Sequence, residues 1–218
     1  MIEGNGQGFQ VSHMFDLQRA AKTILEEVQK EVNVGMNFKD IEALIKRNFL
    51  RAGIEKSWHP IKVRIDQDTI KNFREKSDDA IKIKDGSIYF IDIGVVKDGY
   101  EGDFGNTFVV GGKSRVKEDL ILNCKNVFNR TVQYWRRNQA SGSELYDHAS
   151  SLCKEYGLEL NLEMSGHRIG SYPHGVFYKG SLLENTYPIS ENCWVLEIQV
   201  ICPSMNLGAF YEDIITLN

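Results

Sequence analysis

The chain has 218 residues, with 26 Lys and Arg against 30 Asp and Glu, a formal net charge of −4 and 42% apolar residues, enough to bury a core of its own. Such a mildly acidic chain lacks the basic footprint that grips phosphate backbones, so nucleic acid is not an expected partner. No uncharged apolar window reaches the length of a membrane span and the polar, Gly-rich start (MIEGNGQGFQ) lacks a signal peptide's apolar run, so no membrane partner is expected and the expected location is cytoplasmic.

The first element is an amphipathic helix over about residues 16–33, where Leu17, Ala20, Ala21, Ile24, Leu25, Val28 and Val32 recur at helical spacing. Residues 1–15 before it are expected to form a flexible N-terminal segment, and 16–218 a single domain. A second helix starts at Asn37, an N-cap candidate with Asp40 behind it. It carries Phe38, Ile41, Leu44, Ile45 and Phe49 inward and stops before Gly53. The chain then reads as extended from Ser57 to Ile65 and as a polar loop over 66–79. Two strands follow, Ser87 to Val95 and about Gly102 to Val110, around the turn Lys97-Asp98-Gly99.

The helical period returns from Arg115 to about Asn138, and again from Ser143 to Tyr156, stopped by Gly157. A short strand near Leu160 to Glu163, a Gly/His-rich loop (SGHRIGSYPHG) and a strand pair at about Cys193 to Cys202 and Ala209 to Leu217 complete the chain. The order helix, helix, strand pair therefore occurs twice. It predicts an α+β fold of two similar halves sharing one antiparallel sheet with helices packed on it. Cys124, Cys153, Cys193 and Cys202 form no CxxC pair and lie in or beside apolar patterns, so they read as small buried thiols.

Four carboxylates disturb this pattern. Asp92 interrupts the apolar run Ile88 to Ile93, and Glu197 interrupts Trp194 to Ile201; their partner strands carry Asp103 and Glu212. An ionised carboxylate inside a buried strand costs several kcal/mol unless it is paired or binds a metal. Any one of the four is equally well read as a solvated strand-face acid or half of a salt bridge. Together they ask for a cation, because neither central run contains a Lys or Arg. Two divalent ions would balance four carboxylates, and oxygen ligands with one imidazole suit manganese, iron, cobalt or zinc. The imidazole candidate is His167 in Gly-His-Arg-Ile-Gly, with His174 farther along the same loop.

Asp92, Asp103, His167 in GHxIG, His174, Glu197 and Glu212, in that order, resemble the pita-bread metallohydrolases, the superfamily of methionine aminopeptidase, Xaa-Pro dipeptidase and creatinase. DDAIKIKDGSIYFIDIG followed by KDGYEGDFGNTFVVG is similar to the segment around the two Asp ligands of bacterial methionine aminopeptidases. The short interval between Glu197 and Glu212 is more like prolidases. The resemblance covers about residues 16–217 and implies a pita-bread fold of two pseudo-symmetric halves with helices packed on a curved antiparallel sheet, forming one metallopeptidase-like catalytic domain. It implies that Asp92 and Asp103 hold one metal, that Asp103, His167, Glu197 and Glu212 hold a second, and that Asp103 and Glu212 bridge. Glu197 would also be the general base, and His174 would hydrogen-bond the substrate as the tetrahedral intermediate develops.

Three positions depart from the family pattern. Arg74, beside Phe73, stands where aminopeptidases place a second substrate-contacting histidine; Gly175 follows His174 where a Glu is usual; Phe210 replaces the Arg of many prolidases. His59, in Trp58-His59-Pro60, is the only histidine upstream near this region and reads as structural. The expected activity is a two-metal aminopeptidase acting on peptide N-termini, at methionine or before proline. The alternatives are a creatinase-like hydrolase of a small C–N bond and a peptide-binding module that has lost catalysis.

Overall fold

The computed structural model describes residues 4–112 and 114–217. Helices α1 (Val11–Glu31) and α2 (Phe38–Ala52) come first. The cap expected for α2 is complete: Asn37 accepts from the N–H groups of Lys39 and Asp40, Asp40 returns a bond to Asn37, and Gly53 turns the chain away in the left-handed region at φ 65°. Helix α1 starts earlier than its apolar period predicts, inside the segment expected to be flexible. Gly6 N donates to Ser171 Oγ at 3.0 Å and the Arg168 guanidinium to the Gly4 carbonyl at 2.6 Å, and Met14 is fully buried. Long-range hydrogen bonds of this kind leave no periodic signal in a sequence.

Strands β1 (Lys56–Ser57), β2 (Lys62–Ile65), β3 (Ile88–Lys97) and β4 (Tyr100–Val109) belong to the first half. Helices α3 (Arg115–Asn138) and α4 (Gly142–Glu155) open the second, followed by β5 (Glu159–Leu160), β6 (His167–Arg168), β7 (Trp194–Cys202) and β8 (Leu207–Ile214). They form one antiparallel sheet in the order β1-β3-β4-β8-β7-β5, with β2 also on β3 and β6 also on β7. Strand β6 lies inside the Gly/His-rich loop; two residues are too short for an alternating pattern to reveal.

The halves meet where Gly105 of β4 pairs with Glu212 of β8. On one face Tyr89, Ile91, Ile93 and Val95 pack under α1 and α2, while Trp194, Leu196, Ile198 and Val200 pack under α3 and α4. Each such side chain contributes roughly 1.5–3 kcal/mol of burial. This register is strongly fixed, since a one-residue slip would turn every one of them outward. The same period of two sends Asp92, Asp103, Glu197 and Glu212 to the opposite face. All four cysteines are free thiols in the interior, and no helix among the described residues is long and apolar enough to cross a membrane.

Candidate metal centre

Adjacent strands bring the carboxylates together, and glycines make room for them. Asp92 stands opposite Gly105, Asp103 opposite Gly94, and Glu197 opposite Glu212. A Cβ on Gly94 would lie 2.2 Å from Trp58 Nε1 and 2.3 Å from His59 Cδ2. One on Gly105 would lie 2.3 Å from Phe210 Cε1 and 2.7 Å from Glu212 Oε1. Each glycine thus leaves a seat that a side chain from elsewhere occupies.

The five residues implied as metal ligands converge on a cavity of about 540 Å³, which His59, His174, Trp58, Phe73, Met164 and Arg74 also line. Asp92, Asp103 and Glu212 are 4%, 1% and 1% exposed. His167 Nε2 is 2.7 Å from Asp103 Oδ2 and 3.6 Å from Glu197 Oε1. His59, read from the sequence as structural, is part of the cluster: its Nε2 is 3.3 Å from Asp92 Oδ1 and 3.4 Å from Asp103 Oδ1. Two groups have the spacing to hold an ion, His59 with Asp92 and Asp103, and Asp103 with His167 and Glu212.

The tautomers follow from backbone acceptors. His59 Nδ1 donates to the Pro60 carbonyl at 2.9 Å and His167 Nδ1 to the Arg168 carbonyl at 2.8 Å, so each Nε2 faces the carboxylates. There it must carry a second proton or share its lone pair with a cation. Burial opposes charging either ring, but Asp92 and Asp103 outweigh it for His59, and Asp103 with Glu197 for His167, pushing both up to about 9. Burial drives the Glu197 carboxyl up to about 7; His167 opposes the shift, and Asp92 and Asp103 add to it. Glu212 is raised well above the ordinary range by burial and by the charges of Asp103, Asp92 and Glu197. Burial also disfavours the Asp103 anion, yet the bonds from His167 and His59 prevail and lower its pKa.

The donor set fits divalent cations. Buried Asp92 Oδ1 and Glu212 Oε1 have no hydrogen-bond partner, a state that costs about 1–3 kcal/mol or more for each group and that coordination would relieve. Carboxylate oxygens with imidazole nitrogens suit the borderline transition metals.

Around this cluster, His174 is held through a residue the sequence reading missed. Buried Glu101 accepts from the His174 backbone N–H at 3.0 Å and from Nδ1 at 2.8 Å. Its signal was available, since Glu101 lies two positions before Asp103 and so on the same strand face. The Trp58 indole sits among three imidazoles, with centroids 4.3 Å from His59, 4.7 Å from His167 and 4.8 Å from His174. Arg74 is exposed at the cavity wall, in a loop pinned by the buried Arg64, which donates to Ser77 Oγ and to the Asn72 and Glu75 carbonyls at 2.6–2.7 Å. Phe210 joins Phe90 and Met164 in a small apolar cluster with Phe73 against it. An apolar wall therefore stands on this side of the cavity.

A model of metallopeptidase family M24 matches residues 12–217. A methionine aminopeptidase of Thermococcus onnurineus is 24% identical over 191 residues, 87% of this chain. Among solved structures, an X-Pro aminopeptidase from Thermotoga maritima superposes with a TM-score of 0.77 at 19% identity, covering 97% of this chain and 59% of that one. A methionine aminopeptidase from Thermotoga maritima superposes with a TM-score of 0.77 at 16% identity, covering 100% of this chain and 97% of that one. This chain spans 62% of the length of the Thermococcus relative.

Proposed function

This chain belongs to metallopeptidase family M24 and has the pita-bread fold, and on that premise we propose that it is a metal-dependent aminopeptidase. The observation that carries the reading is the convergence of Asp92, Asp103, His167, Glu197 and Glu212 on one cavity, with two buried carboxylate oxygens lacking a partner. Two divalent ions, of manganese, cobalt, iron or zinc, are the proposed cofactors. When bound they supply Lewis acidity toward the scissile carbonyl and make the attacking water more acidic.

The chain's own groups do the rest. Glu197 is a ligand and the general base: its carboxylate lines the cavity beside His167, where it can take the proton of the attacking water. His174 has its Nδ1 committed to Glu101, which leaves Nε2 as the atom for the substrate's carbonyl oxygen or amide nitrogen. Trp58, Phe73 and Met164 on the cavity wall favour an apolar N-terminal side chain. The substrate is a short peptide or a peptide N-terminus, beginning with Met or with a residue before proline.

The test is incubation of protein purified without chelator with Met-Ala-Xaa and Xaa-Pro-Xaa peptides in Mn(II) and Co(II), alongside metal analysis of the same sample. Release of the N-terminal residue, abolished by chelator and restored by metal, is expected. Two bound ions with no release from any peptide would redirect the reading to a creatinase-like C–N hydrolase or a peptide-binding module.

A further inference from the structure

We propose that His59 is a metal ligand, so that the Asp92/Asp103 ion has an imidazole of its own and each of the two ions receives one nitrogen donor. This rests on the metal-centre reading above and adds a ligand outside the five implied by the family resemblance.

The geometry is that of ligands around a common ion. Two donor atoms, each ~2.0–2.2 Å from one tetrahedral ion, stand about 3.3–3.6 Å apart. His59 Nε2 is 3.3 Å from Asp92 Oδ1 and 3.4 Å from Asp103 Oδ1. The first of these contacts is not a hydrogen bond, since Asp92 Oδ1 has no hydrogen-bond partner. Both side chains are out of solvent, at 7% exposure for His59 and 5% for Asp92. A buried carboxylate oxygen thus points at a buried imidazole nitrogen at ligand spacing.

The chain also fixes His59 there. The Ser57 hydroxyl donates to the Gly94 carbonyl at 2.8 Å, and Trp58 N donates to the same carbonyl at 3.3 Å. The missing side chain of Gly94 is the space the imidazole occupies, and Pro60 holds Nδ1. His167 has the equivalent setting in the second half, where β6 pairs with β7 and Nδ1 is held by Arg168. Outer hydrogen bonds of this sort orient a metal-bound imidazole and raise its basicity. Two imidazoles in place of one shift the site's preference from manganese toward cobalt, iron or zinc.

The test is proton NMR of the Co(II)-loaded protein in water, combined with calorimetric Co(II) titration of the chelator-stripped protein. Each imidazole bound through Nε2 keeps its Nδ1 proton, which the paramagnetic ion shifts far downfield. Two such exchangeable signals are expected, one of which disappears in His59→Gln. That variant should retain one ion at unchanged affinity and lose affinity for the other by at least about tenfold, the effect of removing even an outer-shell partner. A single shifted signal from a wild-type protein that binds two ions would overturn the assignment without needing any variant to fold. Failure of the wild type to bind cobalt at all would instead overturn the metal centre, and His59 with it.

Discussion

Gly94→Ala separates the seat of His59 from the stability of the fold. The added methyl would lie 2.2 Å from Trp58 Nε1, 2.3 Å from His59 Cδ2 and 2.5 Å from His59 Nε2, where ordinary contacts begin near ~3.5 Å. Both rings must therefore move by about 1 Å, and overpacking of this kind costs typically 1–3 kcal/mol. Part of that is offset, because Ala in a strand interior is preferred to Gly by roughly 0.5–1 kcal/mol. The net loss of about 0–2.5 kcal/mol corresponds to a fall of at most roughly 10 °C in melting temperature for a chain of this size. Activity should suffer far more, since a misplacement of ~1 Å can cost about 10²-fold. The assays are thermal melting by circular dichroism, peptide turnover in Co(II), and metal titration. Gly175→Ala is the control, because its methyl would meet only Lys179 Cγ, at 3.9 Å. Turnover of Gly94→Ala within about threefold of wild type would refute the claim that the rings beside Gly94 hold the reacting geometry.

Glu197→Gln should melt near the wild-type temperature yet lose hydrolysis by ~10²-fold or more; activity above about a tenth of wild type would remove Glu197 from the role of base. Chelator-stripped protein should lose stability as pH rises. Glu197 is raised from 4.5 to about 7, and His59 and His167 from 6.5 to about 9; a raised folded-state pKa contributes fully below the unfolded value and is lost on passing the folded one. Melting temperature measured from pH 4.5 to 9 should therefore fall, and saturating Co(II) or Mn(II) should raise it at the upper end; a flat profile without metal contradicts the buried cluster. Glu101→Gln, which cannot accept on both atoms, should lower kcat by roughly tenfold through His174 while metal stoichiometry stays unchanged, as steady-state kinetics and metal analysis will report. Arg74, exposed at the cavity wall, should favour free-acid over C-terminally amidated di- and tripeptides through a bidentate grip on the carboxylate; equal rates for both forms would exclude it.

How much of this was legible follows from the distance over which each signal acts. Helix α2 was readable because Asn37, Asp40 and Gly53 cap it locally. The carboxylates were readable because they interrupt apolar runs, and the structure explains those runs. In β7 the even-numbered residues face α3 and α4, while Val195, beside Glu197, packs with Met14 and Ile169 on the other side. His59 was not readable, because its role depends on Gly94 and on two aspartates in other strands. Arg64 and Arg168, at 2% and 0% exposure, belong to a residue type that composition assigns to the surface. Their backbone-carbonyl partners are set by loops whose paths the sequence does not encode periodically.

The two imidazoles also change the charge balance that first pointed to metal. Four carboxylates and one histidine ask for two divalent ions, but His59 and His167, raised to about 9, can carry two positive charges of their own at neutral pH. Burial and the charges of Asp103, Asp92 and Glu197 raise Glu212 as well, so protons offset part of the cluster's negative charge when no metal is bound. Protons and metal ions then compete for the same Nε2 and carboxylate lone pairs. Loading the site must displace those protons, which couples metal affinity to pH. The pH rise that destabilises the metal-free protein is therefore the same change that frees its ligands, and a cation entering above neutrality takes over the role the protons give up.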